Sequence, residues 1–289
     1  MLEIRAPRHF DVPGRLFPRL ARRYQDPRKD DFTPDEVVID LRDCATLDPP
    51  AALWCVVYAS LVRLKGIGCR VEPPDDAALC AELAAQGLFS MLEEMGVSVD
   101  ARASGTANGS QIIMTLQRFS DVSEVEQLAD DALECLSADK PVAGNLSALI
   151  LNTFAELGNN AAEHAASPTG AFGMVQSYEP PSGGMQFWCT VADGGIGIRA
   201  SLARNPALKP RYDRTAIEEA LKELVTGTGS SHRGLGLFGI VEDMRPHGHE
   251  FIIHSGTGIM HLREEDSDPV AQQCPILFPG TLAGARISL

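Results

Sequence analysis

Phe154-Ala-Glu-Leu-Gly-Asn-Asn-Ala-Ala-Glu-His-Ala165 is the stretch on which the reading of this chain turns. On a helix, Glu156, Asn160 and His164 stand four residues apart and share one face. Leu157, Ala161 and Ala165 lie between them and supply an apolar face at helical spacing. A stripe of Glu, Asn and His is a poor choice for packing and a good one for meeting a polar ligand. A carboxylate can take a proton from water, and an amide oxygen can bind Mg²⁺. Taken alone, the same stripe also fits a solvated helix face, so its neighbours in the sequence decide.

Two later segments bear on it. In Cys189-Thr-Val-Ala-Asp-Gly-Gly-Ile-Gly-Ile198 an apolar strand runs into Asp193 and then into closely spaced glycines. Such a turn brings backbone close to something flat or bulky, and its Asp can accept a hydrogen bond from an exocyclic amine. A hairpin turn is the plain alternative. In Thr226-Gly-Thr-Gly-Ser-Ser-His-Arg-Gly-Leu-Gly-Leu-Phe-Gly-Ile240 a polar loop opens into an apolar helix. Free N–H groups at such a helix start bind phosphate, helped by the helix dipole. A Walker A loop is excluded, because the chain contains no Gly-Lys dipeptide. A dinucleotide fingerprint is excluded too: Gly227-x-Gly229 lacks the third glycine and no strand leads directly into it.

In this order the three segments resemble the GHKL ATPase superfamily, whose nucleotide domain is the Bergerat fold. The Glu-x-x-x-Asn motif is met by Glu156 and Asn160, and the extended form with His164 looks most like the anti-sigma-factor serine kinase branch. Asp-x-Gly-x-Gly is met by Asp193, Gly195 and Gly197, Gly-Leu-Gly-Leu by Gly234–Leu237, and a late Pro-Gly-Thr by Pro279-Gly-Thr281. The resemblance implies an α/β nucleotide domain over residues 121–289, a two-layer sandwich with helices on one face of a mixed sheet. It implies ATP and Mg²⁺ as cofactors and transfer of a phosphoryl group to water or to a protein Ser or Thr. Asn160 would ligate Mg²⁺, and Glu156 would orient or deprotonate the nucleophile. Asp193 would bind the adenine amine, with Thr281 assisting through a water. Gly195 and Gly197 would let the base approach the backbone. His164, Ser231, His232, Arg233, Gly234, Leu235 and Gly236 would complete the nucleotide site. Residues from about Arg199 to His232 would form a lid that closes over nucleotide. One departure stands out: Leu282–Ala285 intervene where this branch passes from Gly-Thr almost directly into its last strand. A non-catalytic module that senses ATP is the alternative function.

The first part of the chain reads differently. Residues 1–29 hold eight basic and three acidic residues, set against a net charge of −14 for all 289 residues. The sequence suggests a basic extension over 1–31, with Leu16, Phe17, Leu20 and Tyr24 as an apolar stripe. Strands are expected at Glu36–Leu41 and Cys69–Val71, and helices from Pro49 to Lys65 and from Asp76 to Leu83, with Asp76 as cap. This α/β unit over 32–100 is similar to a STAS domain, the anti-sigma-antagonist fold. Pro49 and Pro50 stand where that family carries its phosphorylatable hydroxyl, so the resemblance implies a docking or dimerising role. Residues 101–120 read as a linker with a strand at Ile112–Leu116.

Bulk acidity argues against nucleic-acid partners, because phosphate repels it. No apolar run reaches the ~18 residues of a membrane span, and no signal peptide is apparent. Seven widely spaced cysteines without a CxxC argue for buried free thiols in a reducing cytoplasm. The expected partner is a protein, a STAS or sigma-type regulator among the candidates, and a homodimer is compatible with the composition. His247, His249, His254 and His261 fit no standard metal-ligand spacing, and Trp54, Trp188 and Cys189 are expected in the core.

Overall fold

The run Ala51–Val62 carries no charge at all, and a helix that is apolar all round must be buried all round. That requirement organises the molecule. The computed structural model describes residues 1–11, 24–100, 111–138, 144–179, 183–222, 236–263 and 270–288. The first half comprises β1 (Leu2–Arg5), β2 (His9–Phe10), β3 (Glu36–Asp40), β4 (Thr46–Leu47), α1 (Pro49–Leu64), β5 (Gly68–Glu72), α2 (Ala77–Ala85), α3 (Leu88–Glu94) and β6 (Ser98–Val99). β1, β3, β5 and β6 form a parallel sheet in that order, and β2 pairs with β4. The caps follow the sequence. The Asp48 carboxylate accepts from the Ala51 N–H at 2.8 Å ahead of Pro49 and Pro50, and Asp76 accepts from Ala78 and Leu79.

The N-terminus does not stand apart as an extension. Leu2–Arg5 pair in register with Val37–Asp40, and Ile4 is buried in the core. Apolar residues alternate with charged ones along β1, which suits a strand buried on one face. On the other face the Arg42 guanidinium, hydrogen-bonded to Asp40, holds that carboxyl below the usual carboxylate range, with Arg5 alongside. Leu16, Phe17 and Leu20 lie outside the described residues.

The second half comprises β7 (Gln111–Phe119), α4 (Val122–Ala138), α5 (Gly144–His164), β8 (Ala171–Tyr178), β9 (Gln186–Asp193), α6 (Gly197–Leu202), α7 (Asp213–Ala220), α8 (Gly236–Met244), a 3₁₀ turn at Arg245–His247, β10 (Glu250–Leu262) and β11 (Ala271–Ser288). The sheet runs β10-β11-β9-β8-β7, and every neighbouring pair is antiparallel. Part of the expected linker is thus the edge strand β7. The expectation of a mixed sheet is corrected: among the described residues, the parallel pairs all lie in the first half.

The two-layer expectation is corrected as well. Side chains alternate along β9. Phe187, Cys189 and Val191 meet Val125, Ile150, Phe154 and Leu157 of α4 and α5. Trp188 and Ala192 face the other way, into one core with Trp54, Val57 and Leu61 of α1. α1 therefore lies between the two sheets, and both faces of the antiparallel sheet are covered. Trp54, Trp188 and Cys189 are buried as expected, as are all the cysteines except Cys135, which is exposed. No helix of the described residues is long and apolar enough to cross a membrane.

Candidate functional site

β9 ends at Asp193, whose register partners are Thr281 on β11 and Ala171 on β8. The residue is 3% exposed. Burial pushes its carboxyl up to about 7, while N–H groups of Gly195 and Thr281 and the charge of Arg28 oppose that rise. The Gly195 N–H donates to Asp193 Oδ1 at 2.7 Å. The turn that follows is held from several directions. The Ile196 N–H donates to the Ala165 carbonyl at 2.8 Å, the Gly194 N–H to Ser167 Oγ at 3.2 Å, and the Ile198 N–H to Ser255 Oγ at 2.9 Å. Ser255 in turn donates to the Gly280 carbonyl at 3.0 Å and lies 3.2 Å from the Thr281 hydroxyl.

This packing explains the glycines. A Cβ on Gly195 would lie 2.0 Å from the Ala165 carbonyl oxygen, and one on Gly280 (φ +106°) would lie 2.1 Å from the Asp193 carbonyl oxygen. Gly197, at φ +76°, would meet Ser255 Oγ at 2.9 Å. These glycines answer first to the protein's own crowded turn; for Gly195 and Gly197 the resemblance implies room for a base instead.

α5 carries Glu156, Asn160 and His164 at four-residue spacing, as the sequence required. The opposite face is packed: Ile150, Phe154 and Leu157 are buried, and a Cβ on Gly158 would come within 2.7 Å of Val125. Glu156 is exposed, whereas Asn160 and His164 are half-buried. The Asn160 amide Nδ2 donates to the Glu156 carbonyl at 2.8 Å, which leaves its Oδ1 available as an acceptor. Gly236, at the start of α8, backs onto this pair: a Cβ there would sit 3.6 Å from Glu156 Oε2 and 3.8 Å from Asn160 Nδ2. The helix thus joins two parts of one region. Its last turn leads into the Ala165 carbonyl that grips the glycine turn. Glu156 lies nine residues earlier, about 14 Å along the axis.

The structure brings Glu156, Asn160 and Gly236 together at one end, and Asp193, Gly195, Gly197 and Thr281 at the other. Thr281 stands opposite Asp193 in the ladder, and Leu282–Ala285 continue β11 alongside β9. Ser231, His232, Arg233, Gly234 and Leu235 lie outside the described residues. The first half of the expected lid is anchored: the Thr257 N–H and hydroxyl both donate to Asp213 Oδ2 at 2.8 Å, and Arg199 pairs with Asp213 Oδ1 at 2.6 Å.

No cluster of three or more His, Cys, Asp or Glu that could hold a metal occurs among the described residues. His254 is buried 3.2 Å from the Ile276 carbonyl, and burial pushes it down to about 4; His261 contacts Glu250. The donor set that remains, an amide oxygen beside a carboxylate, suits a Mg²⁺ that keeps most of its ligands from water and phosphate. Sequence reasoning missed Ser255, Ser167 and Arg28. In sequence Arg28 reads only as one charge of a basic arm, yet its Nη1 donates to the Gly195 carbonyl at 3.1 Å. No protein-family model, no curated protein and no solved structure matches the chain.

Proposed function

We propose that the chain is an ATP-binding regulatory protein of the GHKL type, with a Bergerat nucleotide fold over residues 121–289. It would act by Mg²⁺-dependent phosphoryl transfer to water or to a protein Ser or Thr, within a bacterial signalling or anti-sigma-type switch in the cytoplasm. The observation that carries this reading is the approach of Gly236 to Glu156 and Asn160, where an added Cβ would lie 3.6 and 3.8 Å from their side chains. Residues 76 positions and more apart, each singled out from its own motif, come together on the C-terminal half of α5, the helix whose last turn leads into the Asp193 turn.

Bound Mg·ATP supplies the phosphoryl group and the neutralisation of its charge, in a reaction governed mainly by positioning. The chain's own groups do the rest. Asn160 Oδ1 would hold Mg²⁺. Glu156, exposed on its helix face, would orient the attacking hydroxyl or water and accept its proton. Asp193 would accept from the adenine amine, its carboxylate fixed by the Gly195 N–H. The α8 N-terminus at Gly236, with its backbone N–H groups and dipole, would face the phosphates.

The test is incubation of the full chain with γ-labelled ATP, alone and with candidate protein partners. Phosphate release or partner labelling is expected for wild type and is lost in Glu156→Ala, while calorimetry still finds ATP bound. Turnover unchanged in Glu156→Ala would remove that residue from the chemistry. A long-lived ATP complex without phosphate release would favour a nucleotide-sensing module, and no binding of ATP or ADP with Mg²⁺ would end the proposal.

A further inference from the structure

The sequence divides the chain into two modules, but the contacts do not. Residues 24–32 run along α1 and are fixed to it. The Tyr24 ring packs against Trp54 and Tyr58, with centroids 6.1 and 5.6 Å apart. The Tyr58 hydroxyl donates to the Gln25 carbonyl at 3.0 Å, and Lys65 donates to the Lys29 carbonyl with its ammonium 5.9 Å from the Phe32 ring centre. Within this fixed segment Asp26, its side chain 9% exposed, accepts from the Arg28 backbone N–H at 3.0 Å and from Nε at 3.1 Å. A guanidinium has a rigid fork of donors, so clamping Nε aims the remaining edge. That edge reaches 167 residues along the chain to the Gly195 carbonyl.

Gly195 is consequently held on both sides, its N–H by Asp193 and its C=O by Arg28. Two further contacts from α1 reach the same turn. Leu61 lies against Gly194, where a Cβ would come within 3.1 Å of it. The Ser60 hydroxyl meets the Thr169 hydroxyl at 3.3 Å, Thr169 meets Ser167 at 3.4 Å, and Ser167 Oγ accepts from the Gly194 N–H.

We infer that the first half of the chain is the rear wall of the nucleotide site, and that Arg28 is a positioning residue that sets the Gly195 peptide and, through it, the Asp193 carboxylate that receives the base. The inference rests on the nucleotide-binding reading above and adds to it: the parallel-sheet unit tunes nucleotide affinity through one guanidinium. A partner or modification that displaced residues 24–32 would thereby weaken ATP binding.

The charged and titratable groups on the elements and segments around the turn include Asp26, Arg28, Arg63, Lys65, Glu163, His164, Arg199, Asp213 and His254. The N–H groups of Gly195 and Thr281 favour the ionised form of Asp193, and the positive charge of Arg28 adds to them. ATP binding should therefore strengthen as pH rises through the Asp193 carboxyl, and removing Arg28 should move that midpoint upward. The experiment is calorimetric titration of the full chain with Mg·ATP from pH 6 to 9, in wild type, Asp193→Asn, Arg28→Ala and Arg28→Lys. Arg28→Ala is expected to bind about tenfold more weakly at pH 7, with a raised midpoint, and Arg28→Lys, which keeps the charge without the fork, to restore the midpoint while recovering only part of the affinity. If Asp193→Asn binds as wild type does, the nucleotide reading itself fails. If Asp193→Asn loses ATP while Arg28→Ala keeps wild-type affinity and midpoint, the inference alone is overturned. Weakened binding with an unmoved midpoint and no recovery in Arg28→Lys also overturns it, since the residue would then be merely structural. Should Arg28→Ala not fold, Arg28→Gln, which keeps the stem and amide donors, replaces it.

Discussion

The two ends of the candidate site are built on opposite principles. Around Asp193 the backbone is crowded: the residue is buried, and Gly195, Gly197 and Gly280 have no room for a methyl group. Around Glu156 and Asn160 the packing is looser: Glu156 is exposed, Asn160 is half-buried, and a Cβ added at Gly236 would keep ordinary contact distances from both. A region that must hold one rigid shape is crowded, because crowding fixes geometry. A region that must exchange ligands and protons has its reactive groups standing clear of the core. The difference teaches that shape is stored at the glycine turn, while the proposed chemistry is carried on a helix whose packing needs lie on its other side.

Substitution can break or sharpen this contrast. The largest effect is expected at Gly195→Ala. Its methyl would have to displace the Ala165 carbonyl, itself bonded to Ile196, so the variant should lose 3 kcal/mol or more, of the order of a severe core overpacking, as read by urea denaturation. Next comes Asp193→Asn, with the opposite sign. A carboxyl raised to about 7 by burial favours the protonated fold. Its cost to stability therefore grows as pH climbs from the unfolded value near 4 through 7. The amide removes that cost, so the ligand-free variant should be more stable than wild type at pH 8, by up to a few kcal/mol, and no more stable at pH 4. Equal melting temperatures at pH 8 would contradict it. Gly236→Ala should be neutral or stabilise by up to about 1 kcal/mol, since alanine suits a helix better and meets nothing closer than 3.6 Å. Smallest of all, Glu156→Ala should change stability by within about 0.5 kcal/mol, even though it is expected to abolish turnover. If Glu156→Ala proved as damaging to folding as Gly195→Ala, the contrast between the ends would be void.

Much of this was legible in the amino-acid order, for local reasons. Pro49 and Pro50 ahead of an apolar run and Asp76 before another are self-contained signals for helix starts; Asp76 caps as read, and Asp48 caps the helix that begins at Pro49. The α5 stripe needed only helical spacing. The length of the final strands was not legible. Ser255-Gly-Thr-Gly258 and Pro279-Gly280 look like strand ends, but β10 and β11 carry them within one ladder by shifting register at Ser255/Gly256 and Gly256/Gly258. Glycine marks a bulge as readily as a stop. The pairing of the halves was hidden for another reason. An all-apolar helix announces that it has partners on several sides without naming them, and Leu61 against Gly194 is fixed only by the complete fold. Arg28 is the extreme case: its neighbours in sequence say "basic", and its meaning depends on a carbonyl far along the chain.

The central position of α1 also decides how this protein can be taken apart. Fourteen of its sixteen residues are buried, shared between a sheet that precedes the helix and one that follows it. Cutting the gene at the apparent midpoint would strip one wall from each fragment and leave a greasy surface bare on both. Dissection that hopes for soluble pieces has to leave this helix with its two sheets, and changes to its side chains have to satisfy both neighbours at once.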